Sequence, residues 1–240
     1  MRQNIHLFIQ ARSGSQRLKN KIFKKIDNYY LIDWVVKRCL LVKKINKVFV
    51  LTTNGKEDDK LERYLKKYKK INIFRGSGDN VLERFYSCGI KYNSNIIIRV
   101  CADNPFIDWG EINRLIRFFK NNSVDYACNH QNRKNSKYAD GFGAEIFRLK
   151  SLRYCFLQKN LKKKYQEHVT LFFWKSKKFK KLSVKAPKYL AFPKLIFDIN
   201  TTNDLKKIKK IVHDLKIDIN TSAKNIVKKF IGYYGKKNQF

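Results

Sequence analysis

Four cations, Arg12, Arg17, Lys19 and Lys21, are spaced through a loop that opens Ala11-Arg12-Ser13-Gly14-Ser15, immediately after the apolar stretch Ile5 to Ile9. Small residues let backbone N–H groups approach phosphate oxygens, and arginine and lysine supply the charge that neutral donors lack. Such a loop suits the grip on a nucleoside triphosphate. It contains no GxxxxGK[ST], so it is not a Walker A loop. On spacing alone, a basic surface turn after a strand explains the same residues equally well.

Acidic residues offer the complementary chemistry. Asp103 follows the β-branched run Ile96-Ile97-Ile98-Arg99-Val100 and precedes Asn104-Pro105, so its carboxylate projects from a strand end. There it could hold a divalent metal against an α-phosphate, or it could simply form the turn before the proline. Asp198 and Asn200 are two apart at a further strand end and share a face, which makes them a second candidate metal position. Asp204 stands at capping-box spacing from Thr201, and helix capping is the preferred reading for it. Asn80 likewise precedes Glu83 at that spacing.

The elements that must position these groups alternate. Ile5 to Ile9, Val48 to Leu51, Asn72 to Phe74 and Ile96 to Val100 read as strands. Leu31 to Leu41, Asp58 to Tyr68, Val81 to Tyr92 and the segment after Asp108 carry helical i, i+3, i+4, i+7 apolar spacing. This succession predicts an α/β fold, a three-layer Rossmann-like and mostly parallel sheet with helices on both faces. In open sheets of that kind ligands bind beyond the carboxyl ends of the strands, where Arg12 and Asp103 both fall. From Asp125 the alternation weakens. The polar segment Asn129 to Gly143 is expected to be a mobile loop or flap. Lys181 to Val184 and Leu195 to Phe197 are expected strands, Thr201 is expected to open a helix, and Ser222 to Phe230 to form the last one. The expected organisation is one domain over residues 1–231, with a small lobe at roughly 125–195 and a frayed tail at 232–240.

Composition constrains partners less than its numbers suggest. Against 19 acidic residues stand 54 basic ones, a net charge of +35. The basic residues are mostly Lys and scattered through every segment, so a solvated lysine surface is preferred to a nucleic-acid footprint, although the field would still attract anionic substrates. The five cysteines, Cys39, Cys88, Cys101, Cys128 and Cys155, include no CxxC pair, which argues against a disulfide framework or a zinc site. No run of roughly 18 apolar residues is present for a spanning helix, and the protein is expected to be cytoplasmic.

Residues 10–21, QARSGSQRLKNK, resemble the signature QAR-x-GS-x-RL-x-x-K of the cytidylyltransferase family that includes the spore-coat polysaccharide biosynthesis protein F type. They are similar to the related signature of synthetases that make CMP-activated acidic sugars. Residues 74–85, FRGSGDNVLERF, match the family's FRG-S-x-D-[DN]-VL-x-R-[FY] block, and residues 99–105, RVCADNP, match R-[IV]-x-x-D-x-P. Asp140-Gly141 with Glu145, Glu167-His168-Val169-Thr170, and Asp198-Ile199-Asn200-Thr201 with Asp204-Leu205 complete the set, which spans residues 5 to 205.

The resemblance implies Mg2+-dependent transfer of CMP from CTP to a sugar acceptor, an acidic sugar for choice, with release of pyrophosphate for surface glycan synthesis. It implies catalytic roles for Arg12 and Lys21, and nucleotide contacts from Gln10, Ala11, Arg12, Ser13, Gly14, Ser15, Arg17, Lys21, Thr53, Arg75, Ser77, Asp79 and Ala102. Arg84, Asp140, Glu145, Glu167 and His168 would meet the acceptor; for His168 a positioning role is preferred to a general base. Asp103, Asp198 and Asn200 would hold the metal, although Asn200 stands where related synthetases carry a second Asp. A homodimer is a further implication. Another triphosphate, a phosphorylated sugar or polyol acceptor, or an RNA-binding role on a degenerate transferase fold remain the alternatives.

Overall fold

Alternate side chains along a strand point to opposite faces, and here both faces of the first strand are apolar. Leu7 and Ile9 belong to one buried cluster and Phe8 to another, so this strand must be covered on both sides. The computed structural model describes residues 3–15, 17–130 and 133–235. In chain order its strands are β1 (Ile5–Gln10), β2 (Lys25–Ile26), β3 (Tyr29–Tyr30), β4 (Lys47–Thr53), β5 (Ile71–Gly76), β6 (Ile96–Cys101), β7 (Tyr126–Cys128), β8 (Glu145–Arg148) and β9 (Lys181–Ser183). The helices are α1 (Leu31–Cys39), α2 (Asp59–Leu65), α3 (Val81–Lys91), α4 (Trp109–Asn121), α5 (Leu149–Phe156), α6 (Lys163–Glu167), α7 (Leu171–Lys175), α8 (Thr202–Asp214) and α9 (Ala223–Tyr234).

Seven strands form the central sheet in the order β5-β4-β1-β6-β8-β7-β9, and β2 pairs with β3 in a separate ribbon. β1 pairs in parallel with both β4 and β6, and β4 with β5, as the βα alternation predicts. β8 is the exception, running antiparallel to both of its neighbours, β6 and β7. Helices α1, α2, α4, α8 and α9 cover one face; α3, α5 and α7 cover the other. The chain moves outward from β1 to β4 and β5, then crosses to β6 on the other side, so the loop after β1 lies at a topological switch point, where crevices form.

Capping fixes where several helices begin. Asn80 Oδ1 accepts from the Glu83 N–H at 3.0 Å, Asp108 Oδ1 from Glu111 at 2.9 Å, and Thr201 with Asp204 closes a full capping box on α8. Asp108 also accepts from the Ala223 N–H at 2.7 Å, tying α9 to the start of α4. The fully buried Arg38 donates to the carbonyls of Ile107, Ile219 and Thr221, which anchors the C-terminal segment to α1.

Several expectations need correction. The helix expected over Asp58 to Tyr68 is a 3-10 turn, Lys56–Asp58, followed by the shorter α2. Leu195 to Phe197 is not a strand; only an isolated bridge joins Asp140 to Ile196, because the segment has no further neighbour to pair with. The described part of the expected flap is largely packed: Tyr138, Ala139 and Phe142 are fully buried, and the Tyr138 hydroxyl donates to Glu111 at 2.5 Å. Its polar residues hid three apolar anchors spaced too irregularly to read as an element. β7, β8 and α5 were not foreseen, and they join residues after 125 to the same sheet. α9 runs to Tyr234, past Gly232, because Phe230 and Tyr234 pack inward; residues 236–240 lie outside the described residues. Among the described residues no helix is long and apolar enough to cross a membrane.

His6 on β1 is 3% exposed, with its Nδ1 2.7 Å from the Ser94 hydroxyl. Burial, with the charge of Lys47, holds its pKa down to about 4. The folded protein therefore resists a proton that the unfolded chain accepts near pH 6.5. Stability attributable to His6 is full above that pH and falls as pH drops toward 4, by about 2 kcal/mol at pH 5. In denaturant titrations at pH 7.5 and 5.0, His6→Gln should show a loss of stability smaller than the wild type's by about that amount.

Candidate active site

The loop after β1 is held open by an acid that no motif marked. The Ala11 N–H donates to the Leu51 carbonyl at 3.1 Å, extending the sheet pairing by one residue before the chain turns away. Asp58, fully buried, then accepts from the Ser13 N–H at 2.6 Å through one oxygen, and from the Thr53 N–H at 3.0 Å and hydroxyl at 2.6 Å through the other. Burial opposes its charge, but these donors outweigh it and keep the carboxyl below its usual range. Thr53, a nucleotide-contact candidate, spends its hydroxyl on this brace. Gly14 has open space where a Cβ would stand, and Arg12 and Arg17 are exposed, so a ligand can reach the loop from outside. Ser15 accepts from the Leu18 N–H at 3.4 Å and so shapes the turn toward Lys21.

Arg84 faces this loop from the first turn of α3. It is 1% exposed, and its Nη1 donates to the Ser77 carbonyl at 3.2 Å, while Nε and Nη2 are buried without a partner. Burial and the charge of Arg12 lower its pKa to about 10. The Ser13 hydroxyl is also buried without a partner. Buried polar groups are normally satisfied; two guanidinium nitrogens of one arginine and a hydroxyl, buried without partners beside the exposed Arg12, suit an anion. The structure thus groups Arg84 with the phosphate loop, whereas the motif suggested the acceptor side.

Arg75 corrects the same motif in the opposite sense. Its guanidinium donates to the Thr53 and Gly55 carbonyls at 2.8 and 2.7 Å and to Asp59 and Glu62 at 2.6 and 2.8 Å. These four protein acceptors make it a brace between β5 and the start of α2, in place of a nucleotide contact. Ser77 accepts from the Asn80 N–H at 3.0 Å and shapes the entrance to α3, while Asp79 is exposed.

Carboxylates gather on the other side of Lys21. Its Nζ lies 3.2 Å from Asp103 Oδ2 and donates to the Ile199 carbonyl at 2.9 Å. The Ile199 N–H in turn donates to the Asp103 carbonyl at 2.9 Å, which brings the Asp198-Ile199-Asn200 segment against the end of β6. Asp140 joins them through its backbone, which accepts from the Phe197 N–H at 3.2 Å. Gly141 makes that approach possible: its φ is +102°, and a Cβ there would stand 3.0 Å from Phe197 Cβ. Burial and the charges of Asp140 and Asp103 push the Asp198 carboxyl up, so a cation would be favoured here. Asn200 donates its side-chain N–H to Asp198, and Asp204 is occupied by capping.

Among the described residues no group of three or more His, Cys, Asp and Glu side chains converges on a metal position. Magnesium does not need one, since it commonly takes one or two carboxylates with waters and substrate phosphates. Asp103 and Asp198 fit that donor set.

The remaining candidates divide. Glu145 is 1% exposed and ion-paired with Arg99 Nη1; Arg99 Nε and Nη2 donate to Gln10 Oε1 at 3.0 and 2.9 Å. Glu145 is therefore enclosed by protein and does not face an acceptor, a correction to its expected role. Burial opposes both charges, but the pairing holds Glu145 well below its usual range and Arg99 protonated. Gln10 is oriented by Arg99 through its side chain, and its carbonyl accepts from the Ala102 N–H at 3.0 Å. Glu167 and His168 are exposed at the end of α6, where Glu167 lies 4.0 Å from Lys163; among the described residues no hydrogen bond links either to this cleft. Sequence reasoning passed over Asp58 and gave Arg99 no role. The signal for Arg99 was present, because a charged residue inside an apolar strand must have a partner.

Comparisons with known proteins bear on the family and the fold. The family described as cytidylyltransferase matches residues 7–235. The spore coat polysaccharide biosynthesis protein SpsF of Bacillus subtilis is 30% identical over 213 residues, covering 87% of this chain and 86% of the relative. An 8-amino-3,8-dideoxy-manno-octulosonate cytidylyltransferase of Shewanella amazonensis is 26% identical over 124 residues, 51% of this chain and 50% of that protein. A solved cytidylyltransferase structure from Leptospira borgpetersenii superposes with a TM-score of 0.86 at 26% identity, covering 100% of this chain and 99% of that one.

A residue kept for a ligand at the expense of the fold has a diagnostic signature. Replacing Arg84→Met removes a buried charge that has two unpartnered nitrogens and is opposed by Arg12 more than Asp58 supports it, so the ligand-free protein should gain about 1–3 kcal/mol. The same variant should lose most of the thermal stabilisation that tripolyphosphate gives the wild type, read as melting midpoints with and without that anion.

Proposed function

This chain belongs to the cytidylyltransferase family, and from that premise we propose that it transfers CMP from CTP to an acidic sugar, releasing pyrophosphate. The observation that carries the proposal is the pair of buried, unpartnered Arg84 nitrogens beside Arg12 at the phosphate loop, facing a second bank of carboxylates across Lys21. The cations receive the triphosphate. As the acceptor oxygen bonds the α-phosphorus, its proton passes to solvent and the bond to the β-phosphate oxygen breaks. Arg12, Arg84 and Lys21 offset the charge that grows on departing pyrophosphate, and preorganised cations of this kind need no rearrangement at that moment. Lys21 is aimed for this by Asp103 and the Ile199 carbonyl.

Asp103 and Asp198 would hold Mg2+, with Asn200 contributing second-hand by orienting Asp198. Magnesium supplies charge neutralisation at the triphosphate when bound. An acidic acceptor is supported by the octulosonate named for the Shewanella relative and by the net charge of +35, which favours anionic substrates. The five cysteines are free, and four are buried, which suits a reducing compartment; on this reading the reaction takes place in the cytoplasm and supplies an activated sugar for surface glycans.

Saturating CTP with Mg2+ should stabilise the purified protein by about 2.7 kcal/mol at 100 times Kd, a rise of roughly 5–10 °C in melting temperature, and UTP, ATP and GTP should give less. Equal shifts with all four would remove the cytidine assignment. Asp103→Asn should lower turnover of CTP by about 100-fold or more with the melting temperature unchanged. Full activity in that variant would displace Asp103 from the reaction.

A further inference from the structure

A second concentration of positive charge lies outside the triphosphate site, gathered around one buried carboxylate. Glu145 opens β8 opposite Arg99 of β6 and Cys128 of β7. Arg99 donates to one of its oxygens and the Tyr126 hydroxyl to the other. From the loop after β7, His130 Nε2 approaches Glu145 Oε1 to 3.4 Å and Arg133 Nη1 to 3.7 Å. Among the described residues, two guanidiniums and an imidazole therefore approach this one carboxylate.

The two arginines differ in what they can reach. Arg99 is spent inside the protein, on Glu145 and Gln10. Arg133 is 30% exposed along its side chain, and its guanidinium carbon lies 4.9 Å from the centre of the Trp174 ring. Trp174 is itself fixed, donating from Nε1 to the Tyr126 hydroxyl at 3.1 Å. A guanidinium laid on an indole and drawn by a buried carboxylate is held in one orientation at the surface, a state suited to recognising an oxyanion. The Lys134 ammonium, 5.8 Å from the same ring centre, adds to the field.

This cluster is coupled to the transfer site. Arg99 joins Glu145 to Gln10, the last residue of β1 before the phosphate loop, whose carbonyl accepts from Ala102 beside Asp103. Glu145 lies two strands from Gln10, about 10 Å, so the cluster and the loop after β1 border the same end of the sheet. We infer that Arg133 and His130 form the subsite for the anionic group of the acceptor, a carboxylate or a phosphate, with Glu145 as the positioning residue behind them. The inference rests on the CMP-transfer reading and names the part of the site that selects the acceptor.

The test is calorimetric binding to protein loaded with CDP, which occupies the nucleotide site without providing for transfer. The probes are 3-deoxy-manno-octulosonate for a carboxylate, glycerol 3-phosphate for a phosphate, and glycerol as the neutral control. At least one anion should bind the wild type and glycerol should not; the anion that binds assigns the source of the charge. Arg133→Gln should weaken that anion by about tenfold or more, and Arg133→Lys should restore part of the loss, with CDP affinity unchanged in both. Undiminished anion binding by Arg133→Gln, or no anion binding to CDP-loaded wild type, would overturn the inference while leaving the nucleotide site intact. Failure of the wild type to take CDP would instead overturn the transfer reading beneath it.

Discussion

The buried pairing of Arg99 with Glu145 is the constraint on which the organisation of the cleft depends. Neither charge would be tolerated alone inside the sheet, since each has to be removed from water and repaid by its partner. Their pairing fixes the antiparallel β8 against the parallel β6, and so joins the later part of the chain to the nucleotide-binding half. Through Arg99 it also sets the side chain of Gln10 at the mouth of the phosphate loop. One ion pair thereby relates the loop after β1, the proposed triphosphate site, to the elements that carry Arg133 and Trp174.

Around that frame the site is divided by charge. Arg12 and Arg84 lie on one side of the loop, unfavourably close unless an anion intervenes. Asp103, Asp140 and Asp198 lie on the other, close enough to raise the Asp198 carboxyl. Lys21 stands between the two banks. Such an arrangement is stable only in part in the free protein, and the missing stabilisation is what a triphosphate and a divalent cation would contribute. Active sites commonly keep like charges together for this reason.

Much of the architecture was legible from local pattern. The continuous apolar run of Ile5 to Ile9, the capping residues Asn80, Asp108 and Thr201, and the strand-helix alternation up to residue 121 all follow from interactions within a few residues. The region after Asp125 was harder, because β7 and β8 have three and four residues and leave little room for a period to show, although β9 was legible as the strand expected over Lys181 to Val184. The packed stretch around Tyr138 and Phe142 is irregular, and its anchors find their places only against α4 and the segment around Phe197. Glu145 and Arg75 show the same limit at the site: each sits in a family block, but its partner is decided by the fold.

By itself the sequence determined the class of fold, the position of the phosphate loop at a strand end and the residue types that could bind a nucleotide and a cation. Those properties rest on hydrophobic period, turn composition and side-chain chemistry, which are written locally. Only the tertiary structure decided which charges meet. Asp58 is 45 residues from the Ser13 it holds, Lys21 is 82 from Asp103, and Arg99 is 46 from Glu145. A charged group has no preferred partner along the chain; it takes the one that the packed sheet brings within reach, and burial then makes that choice strong.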